Sequence, residues 1–69
     1  MPLSFADIGK TLSIKRIAGN PEIKKFLEKL GFTVGGNVTV ISSNSGNLIV
    51  QIKESRVALS KETANKIYI

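Results

Sequence analysis

Residues 20–40, NPEIKKFLEKLGFTVGGNVTV, decide the fold, because they read as a capped helix, a glycine turn and a strand. Asn20 can accept a hydrogen bond from the first free N–H groups of a helix. Pro21 suits the first helical position, where its missing N–H would have no partner, and Glu22 complements the positive end of the helix dipole. Ile23, Phe26, Leu27 and Leu30 recur at i, i+3, i+4 and i+7, which predicts one buried stripe with Lys24, Lys25, Glu28 and Lys29 pointing elsewhere. Gly31 stands where a helix ends in the left-handed region, and Phe32 is placed to pack back on Leu27 as in a Schellman ending. Thr33 to Gly36 then suit a type II turn with Gly35 at the position that requires positive φ, feeding a strand that begins near Asn37.

Downstream, residues 37–42 are β-branched and alternate, with Val38 and Val40 on one face and Thr39 and Ile41 on the other. SNSGN at 43–47 has turn chemistry, and residues 48–53 resume the alternation with Leu48, Val50 and Ile52 inward, so the pair predicts a β-hairpin. Glu54 and Ser55 make a short connection to a strand at 56–59 whose Val57 and Leu59 face the core. Ser60 can cap a short helical turn through Lys66, and Ile67, Tyr68 and Ile69 close the chain as a final strand. Upstream, Ser4 and Asp7 in MPLSFADIG form a weak capping-box analogue that predicts one helical turn plugging the barrel's end, with Leu3, Phe5 and Ile8 available for burial. Leu12 and Ile14 have strand spacing, but Arg16 falls on their face and Ile17 on the other, so a bulge or strand end is expected near Lys15. About five short strands with one helix after the first, and short helical turns near both ends, predict a mainly β chain folded as a small, partly open SH3-like barrel spanning 1–69 as one domain. A split αβ sheet is the alternative, and it needs a second long helix that 60–66 is too short to supply.

A chain of 69 residues buries only about 60% of the surface that its unfolded form exposes, so its stability should be modest. It contains no cysteine and no histidine, which removes disulfides, the usual zinc ligands, the thiolate nucleophile and the ordinary general base near neutral pH. Catalysis is not expected. Ser60 and Lys61 are neighbours only in sequence, and Ser60 is read as a helix cap. The carboxylates Asp7, Glu22, Glu28, Glu54 and Glu62 are scattered, so no metal site and no cofactor are predicted. Gly35 and Gly36 precede a strand and lack the lysine and helix N-terminus of a phosphate loop. No window approaches a membrane span, and no secretory signal is read, which points to the cytoplasm.

Ten Lys and Arg against five Asp and Glu give a net charge of +5, which raises nucleic acid, an anionic membrane or an acidic protein as partners. The strongest local cluster is Lys24, Lys25 and Lys29 on the outer helix face, with Lys15 and Arg16 forming a smaller one. Nucleic-acid binding on a small barrel usually adds stacking aromatics, and with Phe26, Phe32 and Phe5 assigned to packing only Tyr68 is left.

The order of motifs carries a resemblance: LSFADIG at 3–9, RIAG at 16–19, FLEKLGFTVGG at 26–36, NVTVI at 37–41, a glycine hairpin, then LIVQIKESRVALSKETANKIYI at 48–69. The whole chain resembles the FeoA family, ferrous iron transport protein A. Leu27, Leu30, Gly31, Phe32 and Gly35 carry the match in the helix and turn, and Ser55, Arg56, Ala58, Leu59, Ala64 and Ile67 carry it in the tail. Val34 stands where the family often has proline, and Glu54 where a glycine often precedes the Ser-Arg pair. The resemblance implies an SH3-like barrel in the bacterial cytoplasm, held at the inner face of the membrane through its partner. That partner is FeoB, a ferrous iron permease whose cytosolic G domain binds GTP. A chain without His or Cys suits an adaptor better than an iron carrier. The expected partner surface is Lys24, Lys25 and Lys29 with Arg56 near them, with no small-molecule substrate and no nucleic acid. The alternatives are a basic barrel that binds nucleic acid non-specifically, or a regulatory domain of the metal-dependent repressor type, for which no helix-turn-helix accompanies this chain.

Overall fold

Helix α1 spans Pro21–Leu30 and begins as its sequence dictates: the Asn20 side chain accepts the Ile23 N–H at 2.9 Å, with Pro21 at the first position and Glu22 in the first turn. It ends on a Schellman motif. Gly31 is left-handed at φ 107, the Phe32 N–H donates to the Leu27 carbonyl at 2.9 Å, and the Gly31 N–H donates to Glu28 at 3.0 Å. Asn20→Ala should lower stability by about 1 kcal/mol through loss of the cap, read as a lower denaturant midpoint at unchanged slope. The computed structural model describes all residues, Met1–Ile69.

Strands β1 (Thr11–Ser13), β3 (Asn37–Ser43), β4 (Asn47–Ile52) and β5 (Ser55–Ser60) form an antiparallel sheet in the order β1-β3-β4-β5. Strands β2 (Arg16–Ile17) and β6 (Ile67–Tyr68) form a second, two-stranded sheet. The expected irregularity near Lys15 is a change of partner. Ile14 exchanges backbone bonds with Gly35 and Gly36, and the Lys15 N–H then donates to the Tyr68 carbonyl at 2.7 Å. One expected first strand is therefore two short ones, and the barrel is assembled from six strands. Gly35 has φ 88 and the Gly36 N–H donates to Thr33 at 2.9 Å, which is the type II turn the sequence asks for. A short helix, α2 (Lys61–Ala64), is capped by Ser60, and a 3-10 turn covers Leu3–Phe5. The first and last residues meet, since the Ile69 N–H donates to the Met1 carbonyl and Pro2 bridges Tyr68.

The core is one cluster in which Val38, Val40, Leu48, Val50, Ile52 and Leu59 come from the sheet, and Leu3, Ile14, Leu27, Phe32, Ala64 and Ile67 come from the flanking segments. The alternation read from β3 and β4 is thus the packing pattern. Val57 is half-buried beside it. Two expectations fail. Phe26 is 55% exposed, because Ile23, Leu27 and Leu30 centre the contact stripe and Phe26 lies roughly 70° to one side at 100° per residue. Leu3 is the one fully buried side chain of the N-terminal plug, with Ala6 half-buried against the core, while Phe5 is 70% and Ile8 59% exposed. The 3-10 turn is held instead by Ser4, which donates its hydroxyl to the Asn65 side-chain oxygen, and Asp7 pairs with Lys10 at 3.4 Å instead of capping.

Lys53 is the one non-glycine residue with positive φ, at 55, and is the first of two residues joining the paired Ile52 and Ser55. Lys53→Gly should raise stability by roughly 0.5 to 1 kcal/mol, the relief of left-handed strain exceeding the added freedom of the unfolded chain. A lower urea midpoint for this variant would contradict that reading.

Candidate cationic groove

Between β2, α1 and the Thr33–Gly36 turn runs an open groove of about 370 Å³. Each wall follows from local sequence. The change of partner at Lys15 lifts Lys15 and Arg16 onto one wall, the flank of α1 that presents Lys24 and Glu28 one turn apart makes the other, and Phe32 lies beneath them, fully buried. Val34, at the turn position that faces solvent, is 66% exposed and lines one end.

The electrostatics are unbalanced. Lys15, Arg16 and Lys24 face a single carboxylate, Glu28, and none of these groups is in an ion pair, since Lys10 with Asp7 is the one pair in the molecule. The Arg16 guanidinium carbon sits 4.4 Å from the centre of the Tyr68 ring, its cross-strand neighbour. At that distance the Arg16 cation interacts with the face of the Tyr68 ring, and no ion pair or side-chain hydrogen bond occupies its N–H donors.

The sequence-expected residues are distributed as follows. Lys24 lines the groove, whereas Lys25 and Lys29 lie with Glu28 along the outward face of the same helix. Arg56 is exposed on β5 opposite Gln51, lines neither surface and makes no salt bridge with Glu54. The smaller cluster in the sequence, Lys15 and Arg16, is the one that joins Lys24. Phe5 and Phe26, expected in the core, are exposed on different elements, the N-terminal turn and the far flank of α1. No three of the Asp and Glu side chains converge, and no helix is long and apolar enough to cross a membrane.

The chain is a small SH3-like barrel with an open cationic groove between β2 and α1. The FeoA domain model matches residues 1–69, so the chain belongs to the FeoA family, the accessory proteins of ferrous iron transport. A Methanocaldococcus jannaschii relative, provisionally named Fe(2+) transport protein A, is 29% identical over 68 residues, covering 99% of this chain and 83% of that one. The crystal structure of an iron uptake regulatory protein, FeoA, superposes with a TM-score of 0.90 at 25% identity, covering 97% of this chain and 91% of that one. The zinc complex of Stenotrophomonas maltophilia FeoA, described as a procaryotic SH3 domain protein, gives 0.85 at 24% identity over 99% and 87% of the two chains and shares the fold. A manganese-dependent transcriptional repressor gives 0.88 at 21% identity, but the match spans 97% of this chain and 39% of that one, a likeness of fold alone.

Proposed function

We propose that this chain is a cytoplasmic protein-interaction module that acts on the GTP-binding permease FeoB in ferrous iron uptake, docking on the permease's G domain through the face of α1 and β2. The observation that supports this reading is the groove itself, where three cations without ion-pair partners stand beside Ile17 and the exposed Val34. Lys25 and Lys29 extend the same positive field along the helix and assist encounter. Arg56, on β5, is a separate candidate contact. The chain carries no iron in this scheme, since its sequence has neither the thiolate of cysteine nor the imidazole of histidine.

Calorimetry with the soluble G domain of the cognate permease tests this. Binding is expected that weakens steeply as salt rises, with duplex DNA giving no heat under the same conditions. No heat with the G domain at low salt would overturn the adaptor role. Binding to DNA alone, with a steep salt slope, would assign the +5 charge to nucleic acid instead.

A further inference from the structure

The four-stranded sheet has two end strands, β1 and β5, and only β5 presents a long edge. Strand β1 has three residues, whereas β5 has six and pairs with β4 alone. Lys53 and Glu54 join the facing pair Ile52 and Ser55, so the hairpin closes on that pair, and Ser55, Val57 and Leu59 turn their N–H and C=O groups to β4. Those of Arg56 and Ala58 point the other way. They have no backbone partner outside the sheet, and apart from α2, which follows β5 at one end, no element lies along that side. Both residues are exposed. An open edge pairs with other strands unless it is short, bulged or guarded by proline or lysine. Strand β5, SRVALS, keeps a continuous register with β4 and has none of those guards. From this we infer that two copies of the chain pair through β5, antiparallel about a two-fold axis at Ala58, which joins their sheets into one.

Symmetry and charge select a second copy as the occupant. A two-fold contact must be self-complementary, and the middle of this open edge is Ala58, small enough to face itself. Pairing centred there sets Arg56 opposite Ser60 of the second copy and Val57 opposite Leu59. The two Arg56 positions are then four residues apart along the strands, about 14 Å, beyond the roughly 10 Å over which exposed charges act. Repulsion between them is therefore weak. Glu54 and Glu62, two of the five carboxylates of this +5 chain, flank β5, and the pairing brings Glu62 of one copy to the end where Arg56 of the other stands. Copies meeting through α1 would instead oppose Lys24, Lys25 and Lys29 to themselves. A single strand edge buries less than about 1,200 Å², the size of weak and transient contacts, so the dimer forms at high concentration and not in dilute solution.

Self-pairing of β5 is independent of the groove. Sedimentation equilibrium between about 20 µM and about 1 mM should show the mass rising from monomer toward dimer, with concentration-dependent amide shifts centred on residues 56–60. Ala58→Lys, which opposes two lysines at the axis, should weaken association at least about tenfold while the core amides stay in place. The chain has no cysteine, so a single introduced thiol can join only to another copy. Directly facing residues of such a pair have Cα atoms about 5.5 Å apart, within disulfide range. With oxidised glutathione, Ala58→Cys should cross-link at least about tenfold faster than Arg56→Cys, which is also exposed but lies off the axis. A chain that stays monomeric at about 1 mM, an undiminished association of Ala58→Lys, or equal cross-linking of the two thiols would each overturn the inference. So would concentration-dependent shifts confined to the groove. If the chain stays monomeric and the permease G domain moves Arg56 and Ala58, the edge serves the permease, and self-pairing and the groove reading fall together. If the chain stays monomeric while the G domain moves the groove amides, self-pairing alone falls.

Discussion

Phe32→Ala is expected to remove most of the stability of the fold. Phe32 is fully buried and is the largest side chain of a core that has only 12 buried residues. Its N–H also closes the Schellman ending of α1 on Leu27, so the ring sits where helix and barrel join. Truncating such a phenylalanine costs about 3 to 5 kcal/mol through lost transfer energy and the cavity left behind. A domain of this size has a total stability on the order of 3 to 10 kcal/mol, and with neither disulfide nor metal to add to its packing the lower half of that range applies. Far-ultraviolet circular dichroism with a urea titration would show the native transition lost or moved to very low denaturant. A cooperative transition costing less than about 2 kcal/mol would mean that the helix is not held to the barrel through this ring. Phe26→Ala supplies the contrast, since Phe26 projects from the flank of α1 and its removal should change stability by no more than about 0.5 kcal/mol.

The second large effect is on binding. Reversing Lys15, Arg16 and Lys24 together to glutamate should lower affinity for the permease G domain by more than about tenfold, which corresponds to about 1.4 kcal/mol. The fold should survive, because Lys15, Arg16 and Lys24 are exposed and none is in an ion pair. Loss of the Arg16 stack on Tyr68 costs about 0.5 to 1 kcal/mol of stability. Reversing Lys25 and Lys29 instead should slow association and weaken binding only by about threefold, since those charges act through the field and not by contact. Arg56→Glu, on β5, should have a smaller effect still, because Arg56 lines neither the groove nor the outward face of α1. Surface plasmon resonance with the three variants side by side gives the ranking. A ranking headed by Arg56, or by Lys25 with Lys29, would move the binding face away from the groove.

What the sequence made legible is what local chemistry determines. Asn20, Pro21 and Gly31 mark both ends of α1 by hydrogen bonds that span at most five residues, and all are found as read. The alternation of Val38, Val40, Leu48, Val50 and Ile52 is legible because a strand has two faces and only one is buried. Phe26 was misread because spacing of i, i+3, i+4 and i+7 describes a stripe without saying how the helix is rolled on the barrel, and a ten-residue helix on a small barrel buries a narrow one. Phe5 and Ile8 were misread for a similar reason, since Leu3 and Ala6 are the residues that this segment turns toward the core.

The candidate site was half legible. Lys24, Lys25 and Lys29 are close in sequence and easily taken as one patch, but at 100° per residue Lys24 points well away from the other two. Its neighbours in space, Lys15 and Arg16, are separated from it by Gly19, Asn20 and the first turn of the helix. Only the change of strand partner at Lys15 brings them together. The signal available in the sequence was the break in alternation at Lys15 to Ile17, where two cations sit on a strand that must leave its sheet.

The central claim is that the cationic groove between β2 and α1 is the face through which this protein meets the permease. An amide NMR titration of the labelled chain with the permease's soluble G domain tests it most directly. The account predicts shifts concentrated at residues 15–18, at Lys24 and Glu28, and at 32–34, with the outer sheet face and the β5 edge unmoved. Shifts centred on β5 around Arg56, or on the outward residues Lys25 and Lys29 without residues 15–18, would contradict it.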